Sequence, residues 1–140
     1  MNPGQEGTAQ TRGLEWPSFP PFYEHLGLKL EALGGGKCVC GLPYAKHFGN
    51  SRGEIHGGIV ASVLDIAMSQ AARSAIPELT NIATISMTVN YLAPALGVLK
   101  CNAVLVRAGG TIAFAEGEVT DAKGTPVCRA TGTYRIRRGS

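Results

Sequence analysis

Residues 59–76 read IVASVLDIAMSQAARSAI, and this stretch decides the fold. Its apolar residues recur every three or four positions, which is the spacing of a wide buried stripe on an α-helix. Pro77 follows directly and predicts the end of the helix. We therefore expect one long helix from residue 59 to about residue 76. Four polar residues form a narrower stripe on another side of it: Ser62, Asp65, Ser69 and Arg73.

Strand-like segments flank this helix on both sides. Two precede it, at residues 28–33 and 37–42, and the glycine run at 34–36 predicts a hairpin between them. Short connections between consecutive strands favour an antiparallel sheet. We therefore predict an α+β fold in which an antiparallel β-sheet wraps around the one long central helix. Four strand candidates follow the helix, at residues 84–91, 98–107, 111–120 and 126–137.

Side-chain alternation assigns faces to these strands. In the first strand after the helix, strict alternation places Tyr91 in the core and Thr84 on the opposite face, with Ser86. The last two strands carry small residues on one face, which would let the helix lie close to the sheet. These residues are Ala113, Ala115 and Gly117 on one strand, and Cys128, Ala130 and Gly132 on the other.

The composition fits one globular domain. Hydrophobic residues make up 44% of the 140 residues and charged residues 16%, a balance typical of a chain with a packed core. We expect a disordered polar leader at residues 1–19 and the folded domain at 20–138. The net charge of +3 is too small to indicate nucleic acid as a partner. The arginines at 135, 137 and 138 form either a solvated strand end or a phosphate-binding group.

Cysteine usage indicates a reducing compartment. The four cysteines form no C-x-x-C pair and no metal-type spacing with histidine, so we predict neither a metal nor a cofactor. Residues 1–18 lack the apolar core of a signal peptide, and no apolar stretch is long enough to span a bilayer. We therefore predict a cytoplasmic protein that acts without a membrane.

The segment NSRGEIHGG, residues 50–58, leads directly into the helix. Gly57 and Gly58 there leave amide N–H groups without intrahelical acceptors, at the positive end of the helix dipole, where they can stabilise an oxyanion. A Gly-Gly pair is also common as simple backbone punctuation. Asp65 is unusual inside a helix, because aspartate favours caps and turns. It is either part of the polar stripe or a carboxylate that acts as general base or nucleophile.

The spacing of Gly57 and Asp65 has a geometric consequence. Eight helical residues correspond to roughly 12 Å of rise and about 80° of rotation. One chain cannot easily place both groups against the same carbonyl. If both act, they come from two chains whose helices run antiparallel across a two-fold axis, which predicts a homodimer with two equivalent sites.

A family resemblance emerges from these motifs. Asn50, Gly53, the run 56–58 and Asp65, nine residues after His56, resemble the signature of the phenylacetate-pathway type of hotdog-fold thioesterases. Residues 90–94, NYLAP, are similar to the ending of that family's first strand after the helix. The resemblance covers about residues 20–137. It implies the hotdog fold, hydrolysis of an acyl-coenzyme A (acyl-CoA) thioester, and a dimer or a dimer of dimers, that is, a homotetramer.

The resemblance also implies roles for individual residues. Asp65 is the base that activates water, or the nucleophile. The amide of Gly57 binds the thioester carbonyl, and Gly58 belongs to the same substrate-binding turn. Asn50 orients the water or the thioester, and His56 supports the loop near the thioester sulfur.

One further implied role rests on the strand after the helix. Thr84, seven residues before Tyr91, matches a Ser/Thr position that assists at the site. Ser86 is its neighbour on the same predicted face, so the choice between the two depends on the strand register.

Two alternatives remain open at this point. A hotdog-fold enoyl-CoA hydratase or dehydratase uses a histidine with an acidic residue, and His56 with Asp65 offers both residue types. A non-catalytic acyl-CoA binding module would lack the carboxylate, whereas Asp65 is present. The letters G-x-S-x-G occur at residues 49–53, but in a predicted loop rather than at the strand-to-helix turn of a nucleophile elbow, so we expect a hydrolase to use water and a carboxylate. The identity of the acyl group is left open.

Overall fold

The computed structural model describes residues 14–139 and confirms the α+β prediction. A short helix, α1, and a hairpin of two strands precede the long helix, α2, and four strands follow it. A single 3-10 turn, Lys46–Phe48, lies in the loop before α2. The elements are α1 (Pro21–Leu26), β1 (Lys29–Gly34), β2 (Lys37–Leu42), α2 (Gly57–Arg73), β3 (Leu79–Tyr91), β4 (Leu99–Ala108), β5 (Ile112–Thr120) and β6 (Pro126–Arg138).

The six strands form one antiparallel sheet in the order β1-β2-β4-β5-β6-β3. The helix α2 packs against one face of this sheet and contacts every strand. Its buried side chains, with those of the inner sheet face, form the hydrophobic core. None of the helices within residues 14–139 has the length and apolar character needed to cross a membrane.

Glycines bring α2 close to the sheet, as the small-residue faces predict. A Cβ atom added at Gly117 would lie 3.0 Å from Leu64 Cδ2 and 3.3 Å from Met68 Cγ. One added at Gly132 would lie 3.1 Å from Met68 Cε and 2.8 Å from Tyr134 Cε2. Neither position tolerates a side chain without movement of its neighbours.

The helix begins two residues earlier than expected and ends three residues earlier. It begins at Gly57 because the His56 side chain caps it, accepting a hydrogen bond from the Gly58 N–H. It ends at Arg73, where the Ser74 hydroxyl donates to Ala71 O and accepts from the Gly36 N–H. These side-chain bonds supply partners for backbone groups that the helix and hairpin leave free.

The strand β3 differs from the prediction in length and in alternation. It starts at Leu79 rather than at residue 84, and it contains a bulge, because Thr84 pairs with Tyr134 whereas Ser86 pairs with Thr133. Because the bulge adds one residue, the side chains that precede it point to the opposite face from the one that strict alternation predicts. Thr84 therefore lies on the helix side of the sheet, as Tyr91 does, and the prediction that these two residues lie on opposite faces is wrong.

β3 is also an open edge of the sheet. It has β6 on one side and no strand on the other within residues 14–139. Most of its 13 residues are exposed. A long exposed edge strand offers unpaired N–H and C=O groups to another strand.

The expected leader at residues 1–19 lies largely outside the described residues. Of the described part, Trp16 donates a hydrogen bond from Nε1 to Leu28 O, and its ring meets that of Tyr23 edge to face at 5.1 Å between centroids. Trp16 therefore contacts the domain that follows it.

Candidate active site

Asp65 lies in the middle of α2, on its half-buried side. Its Oδ1 atom accepts two hydrogen bonds, one from the Thr84 hydroxyl at 2.7 Å and one from the Tyr134 hydroxyl at 2.9 Å. Its Oδ2 atom has no donor among residues 14–139. The structure thus brings Asp65 and Thr84 together and leaves one carboxylate oxygen without a donor among the described residues.

Tyr134 bonds to Asp65 in the candidate site, although it is not among the site residues predicted from the sequence. It lies on the inner face of β6 and is fully buried. Burial raises the pKa of Tyr134 well above its usual value, and the neighbouring Asp65 carboxylate raises it further. The phenol therefore stays protonated and can donate. A signal existed in the sequence, since Tyr134 continues the alternation of Cys128, Ala130 and Gly132 and is the first residue there with a polar tip.

The start of α2 provides one free amide rather than two. The Gly58 N–H donates to Nδ1 of His56 at 2.9 Å, so the prediction that it is uncovered is wrong, and we do not carry Gly58 forward as a substrate-binding residue. The Gly57 N–H has no acceptor within residues 14–139. Because His56 accepts at Nδ1, its neutral ring carries the proton on Nε2. His56 bonds its own helix start rather than Asp65.

Tyr91 contacts the backbone carbonyl of Gly57. Its hydroxyl donates to Gly57 O at 2.8 Å, and a Cβ atom at Gly57 would lie 3.1 Å from the Tyr91 ring. The ring is 55% exposed, so the prediction that Tyr91 belongs to the core is wrong. Only a glycine at position 57 allows the ring to approach this closely.

Asn50 shapes the loop that faces this helix start. Its Oδ1 atom accepts hydrogen bonds from the backbone N–H groups of Arg52 and Glu54, at 2.9 and 3.1 Å. These bonds occupy the oxygen and leave the side-chain NH2 group as the available donor. Arg52 and Glu54 in turn form an ion pair within this loop, with 3.3 Å between Arg52 Nε and Glu54 Oε1.

Asn50, Gly57 and Tyr91 line one cavity of about 380 Å³. The rest of its wall is mostly apolar, with Val60 and Val127 among its residues, and the charged Arg52 and Glu54 also line it. This volume lies within the usual range for small-molecule sites. Asp65 is not among the lining residues. Within one chain the candidate site is therefore in two halves, an amide with a cavity and a carboxylate further along the helix.

Other candidate groups lie outside this arrangement. The arginines at 135, 137 and 138 are exposed on β6, and Arg138 donates to Gly109 O at 2.9 Å. A role for them in phosphate binding stays a prediction. Within the described range, no three His, Cys, Asp or Glu side chains are grouped closely enough to hold a metal ion.

A six-stranded antiparallel sheet packed on one long helix is the architecture of the hotdog class of fold. Comparison with known proteins agrees. The Thioesterase superfamily matches residues 52–128, and the chain belongs to this family. It is a thioester hydrolase.

Individual relatives extend the match over most of the chain. A Halobacterium salinarum protein named as a candidate esterase is 36% identical, over 81% of this chain and 82% of its own length. A medium/long-chain acyl-CoA thioesterase of Salmonella typhimurium is 30% identical, over 83% of this chain and 85% of its own. The crystal structure of a thioesterase family protein from Silicibacter pomeroyi superposes with a TM-score of 0.80 at 28% identity, covering 85% of this chain and 90% of that one.

The resemblance to phenylacetate-pathway thioesterases is also matched in structure. A phenylacetic acid degradation-related thioesterase from Ralstonia eutropha has a TM-score of 0.79 at 24% identity, over 91% of this chain and 97% of its own. This similarity concerns the fold.

Proposed function

We propose that the protein hydrolyses acyl- or aryl-CoA thioesters in a site shared between two copies of the chain. The observation that carries this proposal is the separation of the two chemical groups. The free amide of Gly57 lies at a cavity, and the Asp65 carboxylate with its free oxygen lies about two helical turns away. The relative that acts on medium/long-chain acyl-CoA supports coenzyme A as the leaving group.

The partner in this proposal is a second copy placed by β3. Two β3 edges can pair antiparallel across a two-fold axis, which satisfies their free backbone groups. That axis sets the two α2 helices antiparallel, with their half-buried polar stripes facing each other. The Gly57 end of one helix then lies toward the Asp65 position of the other. Each dimer has two equivalent sites.

The chemistry follows from the roles of these groups. The Gly57 N–H donates to the thioester carbonyl oxygen and stabilises the oxyanion that forms on attack. Asp65 takes a proton from water, and the hydroxide attacks the carbonyl carbon. The carbon–sulfur bond then breaks, and coenzyme A leaves as the thiolate. In the alternative order, Asp65 attacks directly, and water hydrolyses the resulting anhydride.

The neighbours of Gly57 assist in this proposal. The free NH2 group of Asn50 can donate to the attacking water or to the thioester. The Nε2–H of His56 can donate to the departing sulfur, because Nδ1 is already used by the helix cap. Within one chain, His56 bonds its own helix start and not Asp65, so a single chain forms no His–Asp pair of the kind a hydratase uses.

Two broader assignments belong to the same proposal. Phe114 is 45% exposed and alternates with buried Ala113 and Ala115, so it points away from α2 and offers an apolar surface to a second dimer in a homotetramer.

The four buried cysteines are free thiols, which supports the reducing environment of the cytoplasm.

A thiol-release assay tests the proposal. The wild-type protein should release free thiol from saturated acyl-CoA substrates, compared across aryl, short-chain and long-chain groups. Asp65→Asn should lower kcat by a factor on the order of 10² or more while the fold survives. Glu24→Gln, which removes an exposed carboxylate on α1, is the matched control. Absence of thiol release from every substrate, or full activity of Asp65→Asn, would contradict the proposal.

A further inference from the structure

Two hydroxyl groups share one oxygen of Asp65. The Thr84 hydroxyl on β3 and the Tyr134 hydroxyl on β6 both donate to Oδ1, at 2.7 and 2.9 Å. A carboxylate oxygen offers about two lone-pair positions, so these donors occupy Oδ1. The Tyr134 hydroxyl also lies 3.3 Å from the backbone carbonyl of Asp65. The carboxylate is therefore held at one oxygen, and the other is free.

The Tyr134 ring is fixed by its surroundings. It is fully buried, whereas Thr84 lies on an exposed edge strand. Position 132 carries a glycine, and a Cβ atom there would lie 2.8 Å from Tyr134 Cε2 and 3.1 Å from its hydroxyl oxygen. The strand thus leaves room for the phenol at the point from which it reaches Asp65.

We propose that Tyr134 is a positioning residue whose hydroxyl, together with that of Thr84, fixes Asp65 so that Oδ2 is the oxygen that acts on water or the thioester. This inference rests on the proposed function. Rotation of the carboxylate would break both hydrogen bonds, so the reacting oxygen keeps one orientation.

Few other groups near Asp65 ionise in the acidic range. Burial raises the pKa of Tyr23 on α1 and of Tyr91 on β3. The titratable side chains of β2, β4 and β6 on the helix side are, besides Tyr134, buried thiols: Cys38, Cys40, Cys101 and Cys128. The inner faces of β1 and β5 carry none, and Arg73 is the charged residue further along α2. His56, which caps α2, is unchanged in the Tyr134, Tyr23, Thr84 and Gly132 variants that test this inference.

The test is the pH profile of Tyr134→Phe, which keeps the ring and removes the hydroxyl. We expect kcat to fall about tenfold because the carboxylate is less well oriented. KM should stay unchanged, since the phenol touches no substrate. The acidic limb of the kcat profile should move to higher pH, because the carboxylate loses one of its two hydrogen-bond donors. Tyr23→Phe is the matched control, a buried tyrosine whose hydroxyl accepts from Gln70 instead. It should leave the acidic limb in place.

Thr84 provides an independent pair of variants on the exposed strand. Thr84→Val removes the second donor and should shift the acidic limb in the same direction, whereas Thr84→Ser keeps the donor and should restore it. If Tyr134→Phe does not fold, Gly132→Ala displaces the phenol without removing it and gives the same readout.

The outcomes separate this inference from the function on which it rests. A wild-type protein that releases no thiol would overturn the proposed function. An active wild type with an unaltered kcat and acidic limb in the folded Tyr134→Phe variant would overturn the positioning role alone. A crystal structure of that variant with the Asp65 carboxylate unmoved would overturn it as well.

Discussion

Gly132→Ala perturbs the contact between β6, α2 and Asp65 by a single methyl group. The added Cβ would lie 2.8 Å from Tyr134 Cε2, a distance that real Cβ contacts do not reach, and 3.1 Å from Met68 Cε. The Met68 methyl end can move, but the Tyr134 ring is fully buried and must swing away. The variant therefore strains the core and pulls the phenol from the carboxylate.

The magnitude follows from two opposing effects. Overfilling a packed core costs about 1–3 kcal/mol. Replacing glycine by alanine restricts the unfolded chain, which by itself raises the free energy of unfolding by about 0.4–1 kcal/mol. The free energy of unfolding should therefore fall by up to about 2.6 kcal/mol, with a central expectation of about 1.3 kcal/mol. Activity should fall as well, since the Tyr134 hydroxyl no longer reaches Asp65.

Urea denaturation at equal protein concentration measures the change, because dimerisation makes stability depend on concentration. Gly110→Ala is the matched control, since a Cβ atom there meets nothing within 4 Å. It should raise the unfolding free energy by about 0.4–1 kcal/mol, because it restricts the unfolded chain without meeting a neighbour. A Gly132→Ala protein as stable and as active as the wild type would refute the close packing and the role of the phenol together.

Two further predictions concern the helix cap and alkaline pH. His56→Ala removes the acceptor for the Gly58 N–H and should cost about 1 kcal/mol of stability, whereas His56→Asn keeps a capping side chain and should cost less in the same urea titration. A hydrogen bond with Cys40 and burial raise the pKa of the Cys38 thiol above the ordinary value of 9.0, and a hydrogen bond with Cys101 and burial raise the pKa of the Cys40 thiol. The unfolded chain then loses protons that the folded chain keeps, so stability should be fully present below pH 9.0 and decline as the pH rises above it. An unfolding midpoint that does not change from neutral pH to alkaline pH would contradict this.

The fold was predictable because two different periodicities are clear in the sequence. The apolar spacing in residues 59–76 fits only a helix, and alternation with turn residues marks the strands. The small residues on β5 and β6, among them the glycines at 117 and 132, also indicated the close contact between helix and sheet. The bounds of α2 were less predictable, because the His56 and Ser74 side chains that set them bond to backbone groups through local geometry.

The candidate site was predictable only in part. The motif in residues 50–58 and Asp65 could be singled out by residue type and spacing, and their catalytic roles stay predictions. The contact between Tyr134 and Asp65 joins residues 69 apart and depends on the register of β6 against α2, which no local pattern specifies. Thr84 reaches Asp65 because of the bulge in β3, and a one-residue bulge leaves no periodic signal.

The central claim, a site shared between two copies, is tested most directly by mixing two inactive variants. Asp65→Asn lacks the carboxylate, and Asn50→Ala lacks the donor beside the Gly57 amide. If the halves come from different copies, refolding equal amounts together should restore about a quarter of wild-type activity, because half of the dimers then carry one intact site of two. If each chain holds a complete site, the mixture will stay as inactive as its two components.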